Sequence, residues 1–350
     1  MQVITQSFGE YQGESYDEIL ITNRNQQTIA LTNLGARITK WLIPTEDGHT
    51  ENIVLGYPDA ESVFTWPPFY YGATVGRVAG RIANAEFTID DTHYMVDQNE
   101  GKNENHGGKN GFDRQKWDYT IEEDEHNVDV TFTYTDPDGN NGYPGTVEVT
   151  VTHQFNDDNQ WIIHYDATTT APTPLNLTNH IYVNLNGNNQ APVTNHQFQV
   201  LADRYLPLRP DNIPTGELHH VEGTAFDLRE PVRYQSVLDQ FLKTDLKQTG
   251  GFDHPWLLTH EWDVDALITL PEKGRQLTVT TDQSSLVIYT HNVGDPTLSL
   301  YGHPLIAHSG IALEAQTAPD AVHHAEDWGN IILRPNEHYT QDTTYQLTLG

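Results

Sequence analysis

Several short stretches of this sequence set an ionisable side chain beside glycine or inside an apolar run. His180 sits in LTNHIYVNL, Glu314 lies between Leu313 and Ala315, and Asp253 follows Gly250-Gly251-Phe252. Arg81 closes the run GRVAGR, and His106 precedes Gly107-Gly108. In such surroundings a pKa can be tuned and a ligand held. An imidazole and a carboxylate together can move protons to and from a substrate. Taken singly, each residue also has a plainer reading. His180 could be a satisfied core histidine, Glu314 a strand residue facing water, Asp253 a turn stabiliser and Arg81 half of a surface ion pair.

The elements that would have to bring them together are strands. Val128, Val130, Phe132 and Tyr134 alternate with polar residues, as do Val147, Val149 and Val151, and then Trp161, Ile163, Tyr165 and Ala167. Residues 277–281, 286–290 and 345–349 repeat the pattern. A period of two means one face in the core and one in water. Helical spacing is confined to residues 235–246, where Leu238, Phe241, Leu242 and Leu246 could share a face. The 19 Pro and 26 Gly fall mainly between strands. No repeat or linker interrupts the chain, so residues 1–350 read as a single all-β domain built from large packed antiparallel sheets.

Composition narrows the chemistry. The absence of cysteine removes disulfides, thiolate metal sites and a cysteine nucleophile. A net charge of −31 argues against nucleic acid and against an anionic membrane surface as partners. Residues 1–10, MQVITQSFGE, have neither the basic nor the apolar region of a secretory signal. Apolar runs are far shorter than the roughly 20 residues a membrane span needs. A cytoplasmic protein is expected. No phosphate-binding loop and no G-x-S-x-G elbow occurs. Residues 136–142 look briefly like a calcium loop, but the glycine and the closing Glu148 each come one residue late.

With these motifs set side by side, the chain resembles the aldose 1-epimerase (galactose mutarotase) family. The resemblance spans about residues 35–329. It runs through GRVAGRIANAEF at 76–87, HGGKNGFDRQKW at 106–117, DPDGNNGYPG at 136–145 and LTNHIYVNL at 177–185. It continues through ADRYLPLRPDNIPTGEL at 202–218, GTAFDLR at 223–229, GFDHPWLL at 251–258 and ALEAQTAPDAVHH at 312–324. The resemblance implies a β-supersandwich that holds a free sugar in an open groove and interconverts its α- and β-anomers. It implies Glu314 as general base, His180 as general acid, His106 as a contact near the ring oxygen, and Asp253 and Arg81 as hydroxyl ligands. Those residue types suit the reaction. Ring opening removes a proton from O1 and delivers one to O5, tasks for a carboxylate and an imidazolium, and closure returns both. His106 could polarise the reacting atoms without transferring a proton. No metal and no organic cofactor is called for.

Three positions depart from the family pattern. Gly80 stands where Asn is usual, Asn105 where an apolar residue precedes the histidine, and Val287 where Gln is usual. They bear on substrate choice among glucose, galactose and a reducing disaccharide such as maltose. Two other readings stay open at this stage. One is a glycoside hydrolase working through the carboxylates Asp253 and Glu314. The other is a sugar-binding sandwich without catalysis.

Overall fold

The computed structural model describes residues 1–241 and 249–350. Three antiparallel sheets carry most of the chain. The largest has nine strands, in the spatial order 118–123, 127–136, 147–156, 160–169, 339–349, 275–281, 266–270, 197–200 and 232–233. A five-stranded meander, residues 2–52, covers part of one side. A six-stranded sheet runs 182–183, 311–316, 285–289, 253–258, 202–205 and 219–220. All-β antiparallel architecture is what the alternating runs predicted. The strands Asn127–Asp136, Val147–Asn156 and Gln160–Thr169 pair in register over nearly their full lengths.

One contiguous apolar core joins the three sheets. Val130, Phe132, Val149, Val151, Trp161 and Ile163 enter it from the nine-stranded sheet, Trp41 and Ile43 from the meander, and Leu286, Ile288, Leu313 and Trp256 from the six-stranded sheet. Trp41 meets Phe155 and Trp161 edge-on, at 6.1 and 6.3 Å between ring centroids. The helix expected at 235–246 is Tyr234–Phe241, with Leu238 and Phe241 buried. Leu242 and Leu246 lie outside the described residues. No helix among the described residues is long and apolar enough to cross a membrane.

The six-stranded sheet matters most for function, because its two faces differ. In Ile311–Gln316 the side chains of Ile311, Leu313 and Ala315 point into the core, so Ala312, Glu314 and Gln316 point away from it. In the neighbouring strand Leu286 and Ile288 face the core, leaving Val287 and Tyr289 on the other side. Register sets Val287 against Glu314, Tyr289 against Asp253 and Tyr182 against Ala312. One sheet face therefore collects Tyr182, Glu314, Val287, Tyr289 and Asp253.

Arg77 shows why the first motif carries two arginines. It is 1% exposed and donates to Asp136 Oδ2 at 2.6 Å, to Thr173 Oγ1 at 3.1 Å and to the carbonyls of Pro144 and Gly145 at 2.7 Å each. It thus ties residues 76–81 to the turn at 136–145, the segment whose sequence mimicked a calcium loop. A buried guanidinium is tolerated only with such partners. Asp136→Asn should therefore cost about 3–5 kcal/mol of folding stability. Chemical denaturation of the variant and the parent chain measures it. A loss under about 1 kcal/mol would contradict this role.

Candidate active site

The functional face of the six-stranded sheet floors a pocket of about 390 Å³. That is near the small end of the ~300–1,000 Å³ range for small-molecule sites. Its lining includes Arg81, His106, His180, Asp253 and Glu314, the five residues the sequence singled out. They come from five separate stretches of chain, and the structure brings all of them together.

Local pairing explains how. Arg81 and Asn105 face each other across the short ladder formed by 81–82 and 104–105. The His106 amide donates to Gly80 O at 3.0 Å, and the Gly80 amide donates to His106 Nδ1 at 3.2 Å. That second bond fixes the neutral tautomer, because a ring nitrogen that accepts a proton cannot carry one. His106 therefore keeps its hydrogen on Nε2 and acts as a donor. The glycines after it are needed. Gly107 has φ +83°, and a Cβ there would lie 1.9 Å from Gly76 O.

His180 follows the bridge 178–179, which pairs with 74–75. Its ring is stacked between Tyr182, at 4.9 Å and 20° between planes, and Tyr70, at 5.8 Å and 21°. Its edge meets His106 at 5.2 Å. Nε2 lies 3.4 Å from Glu314 Oε1, and both side chains are only 4% exposed. Its Nδ1 is buried without a hydrogen-bond partner.

Burial sets the charge states. It pushes the Glu314 carboxyl up to about 8, with nearby Asp253 adding to the rise and Arg81 opposing it. Burial also drives His180 down to about 3 and His106 well below its ordinary value. In the empty pocket His180 is a neutral imidazole and the proton rests on Glu314, because the dry cavity disfavours both charges. The pair holds one proton, as acid–base work requires. Asp253 is raised to about 6, by burial first, with Arg81 opposing. Burial works against the Arg81 charge as well, but Asp253 and Glu100 outweigh it and hold the guanidinium well above its ordinary range.

His106, His180 and Glu314 also bring three potential metal-ligand atoms within 4.8 Å of one another. The Gly80 bond argues for a different use, since a proton on Nε2 must leave before that nitrogen can bind a cation. Sequence reasoning missed Glu100, whose carboxylate grips Arg81 through Nε at 2.5 Å and Nη2 at 3.1 Å. It also missed the aromatic wall of Tyr70, Tyr182 and Tyr289. Tyr182 was legible as a part of LTNHIYVNL, two residues on from His180. Glu100 sits in a turn closed by paired backbone bonds with Asn103, and no periodicity marks it. Of the departures, Gly80 and Val287 line a side recess of the pocket with Gln316 and Pro319, and Asn105 lines the pocket itself.

Residues 17–346 match the family described as Aldose 1-epimerase. The aldose 1-epimerase of Escherichia coli K12 is 35% identical over 340 residues, covering 95% of this chain and 96% of that one. The galactose mutarotase of Rattus norvegicus is 36% identical over 329 residues, covering 93% and 92%. The crystal structure of galactose 1-epimerase from Lactobacillus acidophilus superimposes with a TM-score of 0.87 at 28% identity, covering 100% of this chain and 99% of that one.

Holding Glu314 protonated has a cost that depends on pH. Below about 4.5, the ordinary value for a glutamate carboxyl, Glu314 is protonated both folded and unfolded, and the site loses nothing. Between there and about 8 only the unfolded chain ionises, so stability falls as pH rises. Glu314→Gln should therefore raise the unfolding midpoint at pH 8 and leave it nearly unchanged at pH 4. Equal effects at both pH values would show that Glu314 is not held protonated.

Proposed function

The chain belongs to the aldose 1-epimerase family, and from that premise we propose how its residues carry out the reaction. The protein is an isomerase that interconverts the α- and β-anomers of free aldoses. Galactose and glucose are the substrates we propose. The maltose-preferring alternative draws no support from the relatives. A hydrolytic or purely binding role gives way to epimerisation on the same ground. We read the whole chain, residues 1–350, as one domain acting in the cytoplasm, which fits the single core joining its three sheets.

The observation that carries the mechanism is the contact between His180 Nε2 and Glu314 Oε1, 3.4 Å apart in the pocket floor. Sugar binding brings the anomeric hydroxyl and ring oxygen between them, with the proton handed to His180. Glu314, now a carboxylate, takes the O1 proton. As C1=O1 forms, the C1–O5 bond breaks and His180 protonates O5. Glu314 is then protonated and His180 neutral, which is the arrangement the empty pocket favours. Rotation about C1–C2 presents the other carbonyl face, and the same two transfers run backwards to close the ring. Nothing is consumed and no cofactor enters.

The other residues hold the sugar. His106, locked as an Nε2 donor, hydrogen-bonds at the reacting end and lowers the barrier without giving up its proton. Arg81 and Asp253, joined at 3.6 Å, bind ring hydroxyls. Tyr70 and Tyr182 keep His180 in place and exclude water, which strengthens each electrostatic contact inside.

Polarimetry of freshly dissolved α-glucose and α-galactose tests this directly. The protein should speed the approach to the same final rotation. Glu314→Gln and His180→Asn should each lose about 10²–10⁴-fold in kcat, and the double variant should lose little more, because the two act as a unit. A methyl glycoside, with O1 capped, should be inert. Release of a free sugar from it would favour the hydrolase, and near-normal turnover by Glu314→Gln would remove the base. The rate should also fall as pH rises through about 8, where the pair loses its one proton.

A further inference from the structure

Among the described residues, the pocket lining holds one permanent cation, Arg81, and three carboxyls, Glu100, Asp253 and Glu314. The guanidinium is held along one edge and flanked at its tip. Its Nε and Nη2 edge forms the two-pronged pair with Glu100, and its Nη1 faces Asp253 at 3.6 Å. An Arg fork presents one bidentate edge to one planar anion. A carboxylate or phosphate on a substrate would have to displace Glu100 to use that edge, and at Nη1 it would meet the Asp253 carboxylate. Lys102 and Arg209, close in sequence to the lining residues Glu100 and Pro210, both pair with Asp211, at 3.8 and 3.1 Å. Among the described lining residues, Arg81 is the one basic side chain that could meet an anion, and Glu100 already holds its Nε–Nη2 edge.

Acceptors, by contrast, remain. Each oxygen of Glu100 spends one lone pair on Arg81 and keeps another, and the side chain is 41% exposed. Close to it in sequence, the side-chain oxygen of Asn105 is buried in the pocket wall with no partner. Asp253, at about 6, is ionised at neutral pH. With the Glu314–His180 pair neutral, the two remaining carboxylates against one guanidinium leave the pocket with an excess of one negative charge.

Resting on the epimerase reading above, we propose that this pocket selects aldoses by charge. It takes neutral aldoses and aldoses bearing an ammonium group, it rejects those bearing a carboxylate or phosphate, and Glu100 is the residue that sets the selection. Glu100 acts in two ways: it occupies the one cation an anionic sugar would need, and it offers a free lone pair to an ammonium.

The test measures mutarotation and binding of five sugars by the full chain: glucose, 2-amino-2-deoxyglucose, its N-acetyl form, glucuronate and glucose 6-phosphate. At low ionic strength the amino sugar should show a KM at least about threefold below glucose, and both anionic sugars a kcat/KM at least about tenfold below it. Raising the salt should shrink both differences, as screening requires. Glu100→Gln should narrow the ratio of amino sugar to glucuronate at least about fivefold. The N-acetyl form, neutral at the same position, should lose the advantage of the amino sugar. Glucuronate or glucose 6-phosphate within threefold of glucose would overturn the proposal, as would a ratio that neither salt nor Glu100→Gln changes. Calorimetric titration with the same sugars keeps the two readings apart. If no aldose is accelerated but the amino sugar still binds more tightly than glucuronate, epimerisation fails and charge selection stands. If glucose is accelerated and glucuronate keeps pace, charge selection fails alone.

Discussion

A carboxyl and an imidazole held together out of water resist charge, and this governs much of how the molecule is built. With Glu314 and His180 in contact and nearly inaccessible, removing the proton they share leaves a bare buried anion, and adding one leaves a buried cation. The pair is therefore stable with one proton over a wide pH range. Chemistry that must give a proton at one atom and take one at another needs such a reservoir. The surroundings serve its dryness: aromatic rings on both sides of His180, an apolar core behind the strand that carries Glu314, and a neutral histidine at the edge.

The sheet supplies the geometry at little extra cost. Strand periodicity lets Ile311–Gln316 serve the core with one face and the pocket with the other, so burial of Leu313 anchors Glu314. Loops then close over this floor. The stretches around Arg81 and His106 reach it as one unit, because Gly80 and His106 bond each other in both directions. Arg77 plays the matching role further out. It fixes the whole first motif to the turn at 136–145 through a network that involves no substrate.

Much of this was legible in the sequence because its causes are local. Alternation in VDVTFTYT and VEVTVT marked strands directly, while the five pocket residues stood out together only through the family resemblance of their motifs. What could not be read depended on contacts between distant segments. Glu100 is an unremarked acid in a polar turn until the fold sets it against Arg81, 19 residues away. The charge states of the pair in the empty pocket were out of reach for a similar reason. An imidazole with an ordinary pKa suggests an imidazolium near neutrality, whereas the depth of burial that neutralises it is a property of the packed structure. Arg77 and Arg81 look equivalent in GRVAGR, yet one is structural and the other lines the pocket.

Gly80 has a consequence for how this pocket can change over evolutionary time or in the hands of an engineer. Its backbone has φ +74°, and a Cβ there would meet Pro319 at 2.8 Å. The position is closed to any side chain unless the 316–320 segment yields. Val287, on the opposite wall of the same recess, already accommodates a branched side chain in a well-paired strand. Mutational paths toward a new sugar preference are thus lopsided. Variation can be absorbed at Val287 while Gly80 is held, so a library that randomises both would spend most of its diversity on side chains the Gly80 position does not fit.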